Sequence, residues 1–303
     1  MSEPLSGAAV SLRSGDAAAE IASVGATLRS LTVGGRDLVV PFGVDEVRPL
    51  YRGVVLVPWP NRVVDGRYSF DGTGYQLALT EPDRGHALHG LAVWLDFAVL
   101  DVTEDTAVLE GTVPAQAGYP FRITTTVTYS LGPDGLTTRV VSTNTGPDRA
   151  PYGTSGHPYL VAGAGRVDDW SLEFVAEEVL QVDDRLSPVG VTDAEGTEFD
   201  YRRTRRIGSA FLDHAFTGLV RDREGTARVR LHADDGSGVQ MSWGVECPWV
   251  QIHTGDRPEP EWNRRGLAVE PMTCPPDAFN SGTDLVVLEP GASHEAEWRI
   301  SAI

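Results

Sequence analysis

FRITTTVTYS, from Phe121 to Ser130, is the stretch on which the fold turns. Threonine, isoleucine and valine crowd it, and β-branched side chains suit a pleated strand better than a helix. Gly132-Pro133-Asp134-Gly135 follows as a turn signal, and Leu136–Thr143 resumes the strand pattern. The two runs predict an antiparallel hairpin. Outward from it, Arg228–His232, Val239–Trp243, Trp249–His253 and Glu295–Ile300 read as further strands. The 33 glycines and 20 prolines cut the 303 residues into short segments, as β-structure with many turns requires. Helical signals are weak. Ala17–Leu31 has alanines at workable spacing, but Gly25 interrupts it and it reads equally as two strands around a turn; Glu173–Leu180 is ambiguous. Asp193–Arg206 is polar and reads as a surface excursion. The expectation is an all-β chain, a large antiparallel β-sandwich forming a single domain over residues 1–303.

A hydrophobic fraction of 41% in a chain of this length is enough for a sizeable core. Acidic residues number 43 against 25 basic ones, a net charge of −18. That field repels phosphate backbones and anionic lipid, so neither nucleic acid nor membrane is an expected partner. No apolar run approaches the roughly 20 residues of a membrane span, and Met1–Val10 lacks the features of a signal peptide. Cytoplasmic residence is the default expectation. Cys247 and Cys274 form no CxxC pair and read as free, partly buried thiols in a reducing compartment. Whether the chain is a monomer or a homodimer stays open.

Four segments put polar side chains beside proline or glycine. Pro58-Trp59-Pro60-Asn61-Arg62 stiffens the approach to an Asn-Arg pair; Arg62 can offer its fork of donors to sugar hydroxyls or a carboxylate, or sit in a surface ion pair. His86-Ala87-Leu88-His89-Gly90 invites a metal, but HxxH without a third ligand is a weak signal, and no metal site is expected. In Gly153–Tyr159, the proline after His157 biases that residue to an extended backbone. Ser155 there lacks the glycine that a nucleophile elbow needs two residues on, which argues against a serine hydrolase. Glu270 ends an apolar run before Pro271. Partial burial at such a strand end raises a carboxyl toward the range of a general base, whereas a solvated carboxylate is the plainer alternative.

Together, and in this order, the motifs Asn61-Arg62, Leu88-His89-Gly90, Gly118-Tyr119-Pro120, His157-Pro158-Tyr159, Asp213-His214 and Glu270-Pro271 resemble the aldose 1-epimerase (galactose mutarotase) family. The resemblance runs from about Arg13 to the C-terminus. It implies a β-sandwich with an open cleft and a monosaccharide substrate. It also implies an isomerase that exchanges anomers with Glu270 as general base and His157 as general acid. Asn61, Arg62, His89 and Asp213 would bind and orient the sugar. His86 and Leu91 depart from the family's common pattern and leave the preferred sugar open. No cofactor is implied, and the sequence carries no P-loop or dinucleotide fingerprint. Glu270 and His157 are expected on opposite edges of one hollow, with Glu270 or Asp213 keeping His157 protonated. Three rivals remain. One is a non-catalytic sugar binder. Another is a hexose-phosphate mutarotase, for which the run Arg202, Arg203, Arg205, Arg206 is read as a solvated face. The third is a glycosidase using Glu270 and Asp213.

Overall fold

A computed structural model describes residues 4–303. Almost every regular element is a strand; the one α-helix among the described residues is the four-residue Ala278–Ser281. No helix is long and apolar enough to cross a membrane. The expected hairpin is the strand pair Ile123–Gly132 and Gly135–Asn144, closed at Gly132 and Gly135. It lies within a nine-stranded antiparallel sheet that also holds Thr106–Val113, Ser293–Ala302, Gly238–Trp243 and Ala227–His232. A second sheet, of eight strands, carries Ala176–Val182, Asp213–Leu219, Trp249–His253, Leu267–Met272, Ser155–Gly156 and Val55–Leu56. One continuous apolar core takes Val127, Val140 and Trp298 from the first sheet and Phe216, Val250, Ile252 and Val269 from the second. The fold is therefore all-β and antiparallel, as expected.

The ambiguous stretches resolve as strands. Ala17–Leu31 forms Ala17–Ala22 and Thr27–Val33 around a turn containing Gly25, whose φ of 71° is the left-handed region that glycine enters freely. Around Glu173–Leu180 the chain forms Ser171–Phe174 and Ala176–Val182. The Asp193–Arg206 excursion is tied down midway, because Tyr201 is buried and stacks on Phe174 at 5.6 Å. Both cysteines are free and fully buried, which pushes their thiols up, out of the reactive range.

The register of the strand Leu267–Met272 positions everything that follows. All six of its residues are buried. Leu267 and Val269 join the main core, whereas Ala268 and Met272 pack into smaller clusters on the other face, as a two-residue period dictates. Glu270 shares that second face. On one side Ser155 pairs with Met272 and Tyr159 with Ala268, so the register carries His157 opposite Glu270. On the other side Gln251 pairs directly with Glu270. The backbone around His157 is fixed by a bond from its N–H to the Val54 carbonyl (3.0 Å) and one from the Gly53 N–H to its own carbonyl (2.8 Å).

Gly53 has φ 70°, and a Cβ there would lie 1.9 Å from the Leu28 carbonyl oxygen. Gly53→Ala is expected to lower unfolding free energy by at least about 2 kcal/mol, from left-handed strain plus the clash. Urea denaturation followed by tryptophan fluorescence measures this; an unchanged midpoint would contradict the tight approach.

Candidate active site

Five strands and several turns deliver polar side chains to one hollow of about 120 Å³. At its floor His157 Nε2 stands 3.3 Å from Glu270 Oε1. Opposite residues in an antiparallel pair have Cβ atoms about 5 Å apart, so the contact follows from the register. The two groups share the hollow as expected, but side by side and not on opposite edges. Gln251, the next residue in the same cross-strand row, donates from Nε2 to Asp213 Oδ1 at 2.7 Å. His253 Nδ1 lies 3.8 Å from the same oxygen and 3.3 Å from the Leu212 carbonyl.

Arg62 comes from the two-residue strand that pairs with Ala87–Leu88. It donates to both oxygens of Glu81, from Nε at 2.8 Å and from a terminal nitrogen at 3.0 Å. That is the bidentate fork that lysine cannot supply. Asn61, with a left-handed φ of 52°, accepts on its side-chain oxygen from the Arg62 N–H (2.9 Å), and its carbonyl accepts from the His89 N–H (2.8 Å). It therefore braces Arg62 and His89 through protein contacts. His89 also has a left-handed φ, 64°, and its ring meets those of His157 and Tyr51 edge-on at 5.0 and 4.8 Å. Four buried atoms of this cluster have no hydrogen-bond partner among the described residues: His89 Nδ1, His157 Nδ1, Gln251 Oε1 and Glu270 Oε2. Unpaired buried polar atoms are costly, and here they gather around one hollow.

Burial dominates the electrostatics. It drives Glu270 well above the ordinary carboxylate range; the charge of Asp213 adds to the rise and Arg62 opposes it. Burial, with the nearby His253, pushes His157 down to about 3. The expectation that a carboxylate would keep His157 charged is thereby overturned. Desolvation penalises the charged form of each group, which favours a protonated Glu270 beside a neutral His157. Burial works against Asp213 too, but His253, Arg62 and the Gln251 bond hold it below its ordinary value and it stays ionised. His89 is driven well below its ordinary value by burial and the neighbouring histidine and is neutral.

Other sequence candidates lie elsewhere. His86 is fully buried outside the hollow, accepting from the Asp65 N–H on Nδ1 (3.2 Å) with Nε2 at 3.0 Å from the Arg185 carbonyl. No group of three metal-ligating side chains occurs among the described residues. Arg202 and Arg206 pair with surface acids, and Arg205 lies over Tyr201. Sequence reading missed Tyr51, Glu81, Gln251 and His253, which carry no local motif: Gln251 and His253 enter through strand pairing, Tyr51 through the Pro49–Tyr51 turn and Glu81 through its bonds to Arg62. A roomier concavity, about 710 Å³, lies elsewhere, along Arg228, Gln240, Ser242, Glu297 and Arg299. It holds no histidine and none of the row just described, so the smaller hollow is the candidate site.

A family model described as aldose 1-epimerase matches residues 8–301. The chain belongs to the aldose 1-epimerase family. It is 36% identical over 296 residues to the uncharacterized protein YihR of Escherichia coli K12, covering 97% of this chain and 93% of that one. It is 30% identical over 272 residues to the galactose mutarotase of Rattus norvegicus, covering 81% and 76%. Among solved structures, an aldose epimerase homologue from C. elegans superposes with a TM-score of 0.87 at 21% identity, covering 98% of each chain.

In this aldose 1-epimerase fold, Glu81 is the fixed counter-charge of a buried arginine. Hydrogen bonds and charge from Arg62 hold Glu81 below its ordinary value despite partial burial. A depressed carboxyl contributes stability above its unfolded pKa and loses it as pH falls through the folded one. Glu81→Gln is expected to cost about 3 kcal/mol at neutral pH by stranding Arg62, with the gap to the parent narrowing below about pH 4. Urea melts at both pH values check this; equal stability at neutral pH would remove Glu81 from the role.

Proposed function

We propose that the protein is an aldose 1-epimerase that interconverts the α and β anomers of a free aldose such as glucose or galactose. The observation that carries this reading is the 3.3 Å contact between His157 and Glu270 inside one hollow. Anomer exchange needs a base at O1 and an acid at O5, and both oxygens are bonded to C1. The two carriers must therefore stand together, not across the width of a hexose.

In the ring-opening half, Glu270 takes the proton of the C1 hydroxyl while His157 gives one to O5, and the C1–O5 bond breaks. The open-chain aldehyde turns about C1–C2 and closes from its other face, with both transfers reversed. One proton on the pair suffices. Its resting place on Glu270 is changed by transfer along the Oε1···Nε2 contact when sugar hydroxyls resolvate the pair. Each positioned carrier contributes roughly 10²- to 10⁴-fold, together about 5–11 kcal/mol of barrier. Arg62, held by Glu81, and ionised Asp213 supply a donor and an acceptor for the remaining hydroxyls; His89 covers the ring.

A hexose 6-phosphate is the second reading. Arg257 favours it: this exposed guanidinium lines the hollow and pairs with no acid among the described residues. A glycosidase would also use two carboxyls with diverging pKa values, as Asp213 and Glu270 have. Polarimetry on freshly dissolved α-anomers separates the readings. The parent is expected to speed mutarotation of neutral aldoses, with Glu270→Gln losing at least about 10²-fold and His157→Asn nearly as much. No aryl glycoside should be cleaved. Acceleration of the 6-phosphate alone would move the reading to that substrate. A Glu270→Gln variant as fast as the parent would remove the base.

A further inference from the structure

We propose that Tyr51 is a sugar-contacting, specificity-determining residue of this site, presented by a strained turn that two buried arginines pin from behind. The proposal rests on the reading of the hollow as a sugar site.

The turn Pro49–Tyr51 contains two successive non-glycine residues in the left-handed region, Leu50 at φ 51° and Tyr51 at φ 58°. L-residues visit that region singly and at a cost, and such strain persists only where the surroundings over-determine it. Here they do. Arg48, just before the turn, is buried without a carboxylate partner. Its guanidinium donates to Thr27 Oγ1 (2.9 Å) and to the carbonyls of Val24 (3.1 Å) and Val93, and lies 4.4 Å from the centre of the Trp94 ring. Arg52, just after it, is equally buried, with its guanidinium 5.1 Å from the Trp262 ring. A guanidinium hydrogen-bonded to carbonyls and stacked on an indole is a directional anchor. Arg48 is such an anchor on one side of the turn; on the other, buried Arg52 adds its contact with the Trp262 ring and a long 3.5 Å bond to the Pro41 carbonyl.

The product of this strain is the placement of one phenol. Tyr51 lines the hollow and sets its ring edge-on to His89 at 4.8 Å, with His157 at 6.3 Å. Elsewhere Tyr68, Tyr119, Tyr129 and Tyr152 each donate their hydroxyl to a protein acceptor at 2.7–2.8 Å. Among the tyrosines lining the hollow, the Tyr51 hydroxyl, like that of Tyr159, has no such partner among the described residues and is not sealed from solvent; Tyr51 is the one of the two presented by a left-handed turn. A fixed, accessible hydroxyl beside two histidine rings is suited to bond one hydroxyl of a hexose. A site that hydrogen-bonds a substrate hydroxyl discriminates against sugars that lack it or hold it in the other configuration.

The test pairs Tyr51→Phe with a series of monodeoxy aldoses in the polarimetric assay. The substitution is expected to raise KM for the preferred aldose about 3- to 10-fold, the worth of one neutral hydrogen bond, with kcat within about twofold. One monodeoxy sugar should show no further loss on Tyr51→Phe, because the partner hydroxyl is already gone. Tyr51→Leu, which removes the ring from His89, should lower kcat as well. A Tyr51→Phe variant matching the parent on every sugar, or one whose loss is the same on every deoxy sugar, would overturn the proposal. A parent that accelerates no aldose would instead sink the reading of the site itself.

Discussion

The register of one buried strand underlies the site. Leu267–Met272 is covered on both faces, so slipping it by a single residue would turn Glu270 into the apolar core and Val269 into the cleft. Neither exchange is tolerable: an unpaired carboxyl among Ile252 and Val250 would cost several kcal/mol. The hydrophobic pattern that builds the sandwich thus also determines which carboxyl meets His157 on one side and Gln251 on the other. The alternation continues through Pro271 to Met272, and Thr273 extends the scaffold by accepting from the Thr154 N–H at 2.9 Å.

Burial then decides the chemistry. In water a carboxylate and an imidazolium would each hold charge near neutral pH; in this hollow each charged form is penalised. A single proton on the pair satisfies both, and its exchange along a short contact needs little atomic movement. The remaining charges act on it in opposite senses, Asp213 raising Glu270 and Arg62 lowering it. Arg62 is committed to Glu81, and Asp213 is stabilised by Arg62, His253 and Gln251. Coupled groups of this kind titrate as a pair, and the pH limits of activity belong to both residues jointly.

Much of this was legible in the chain itself. The β-branched hairpin, the glycine and proline punctuation and the ordered motifs point to an antiparallel sandwich and bring Asn61, Arg62, His89, His157, Asp213 and Glu270 to one region. Ala17–Leu31 stayed open because alanine spacing suits a helix, and only pairing with Ala9–Ser14 settles it. The adjacency of His157 and Glu270 was not legible, because it depends on register between segments more than a hundred residues apart. Tyr51 and Glu81 were invisible for a related reason: their importance comes from a left-handed turn and from a cross-strand arginine, neither of which leaves a spacing signature. The charge state of His157 went the other way from expectation because burial, which no local motif encodes, outweighs a neighbouring acid.

The direct test of the account is the ring protonation of His157 in the sugar-free protein, followed by ¹⁵N NMR across about pH 5 to 8, the range in which an ordinary histidine changes charge. A neutral ring throughout, with no titration step, is the predicted result. A step near about 6.5, or an imidazolium persisting across the range, would contradict the claim that burial leaves one shared proton resting on Glu270.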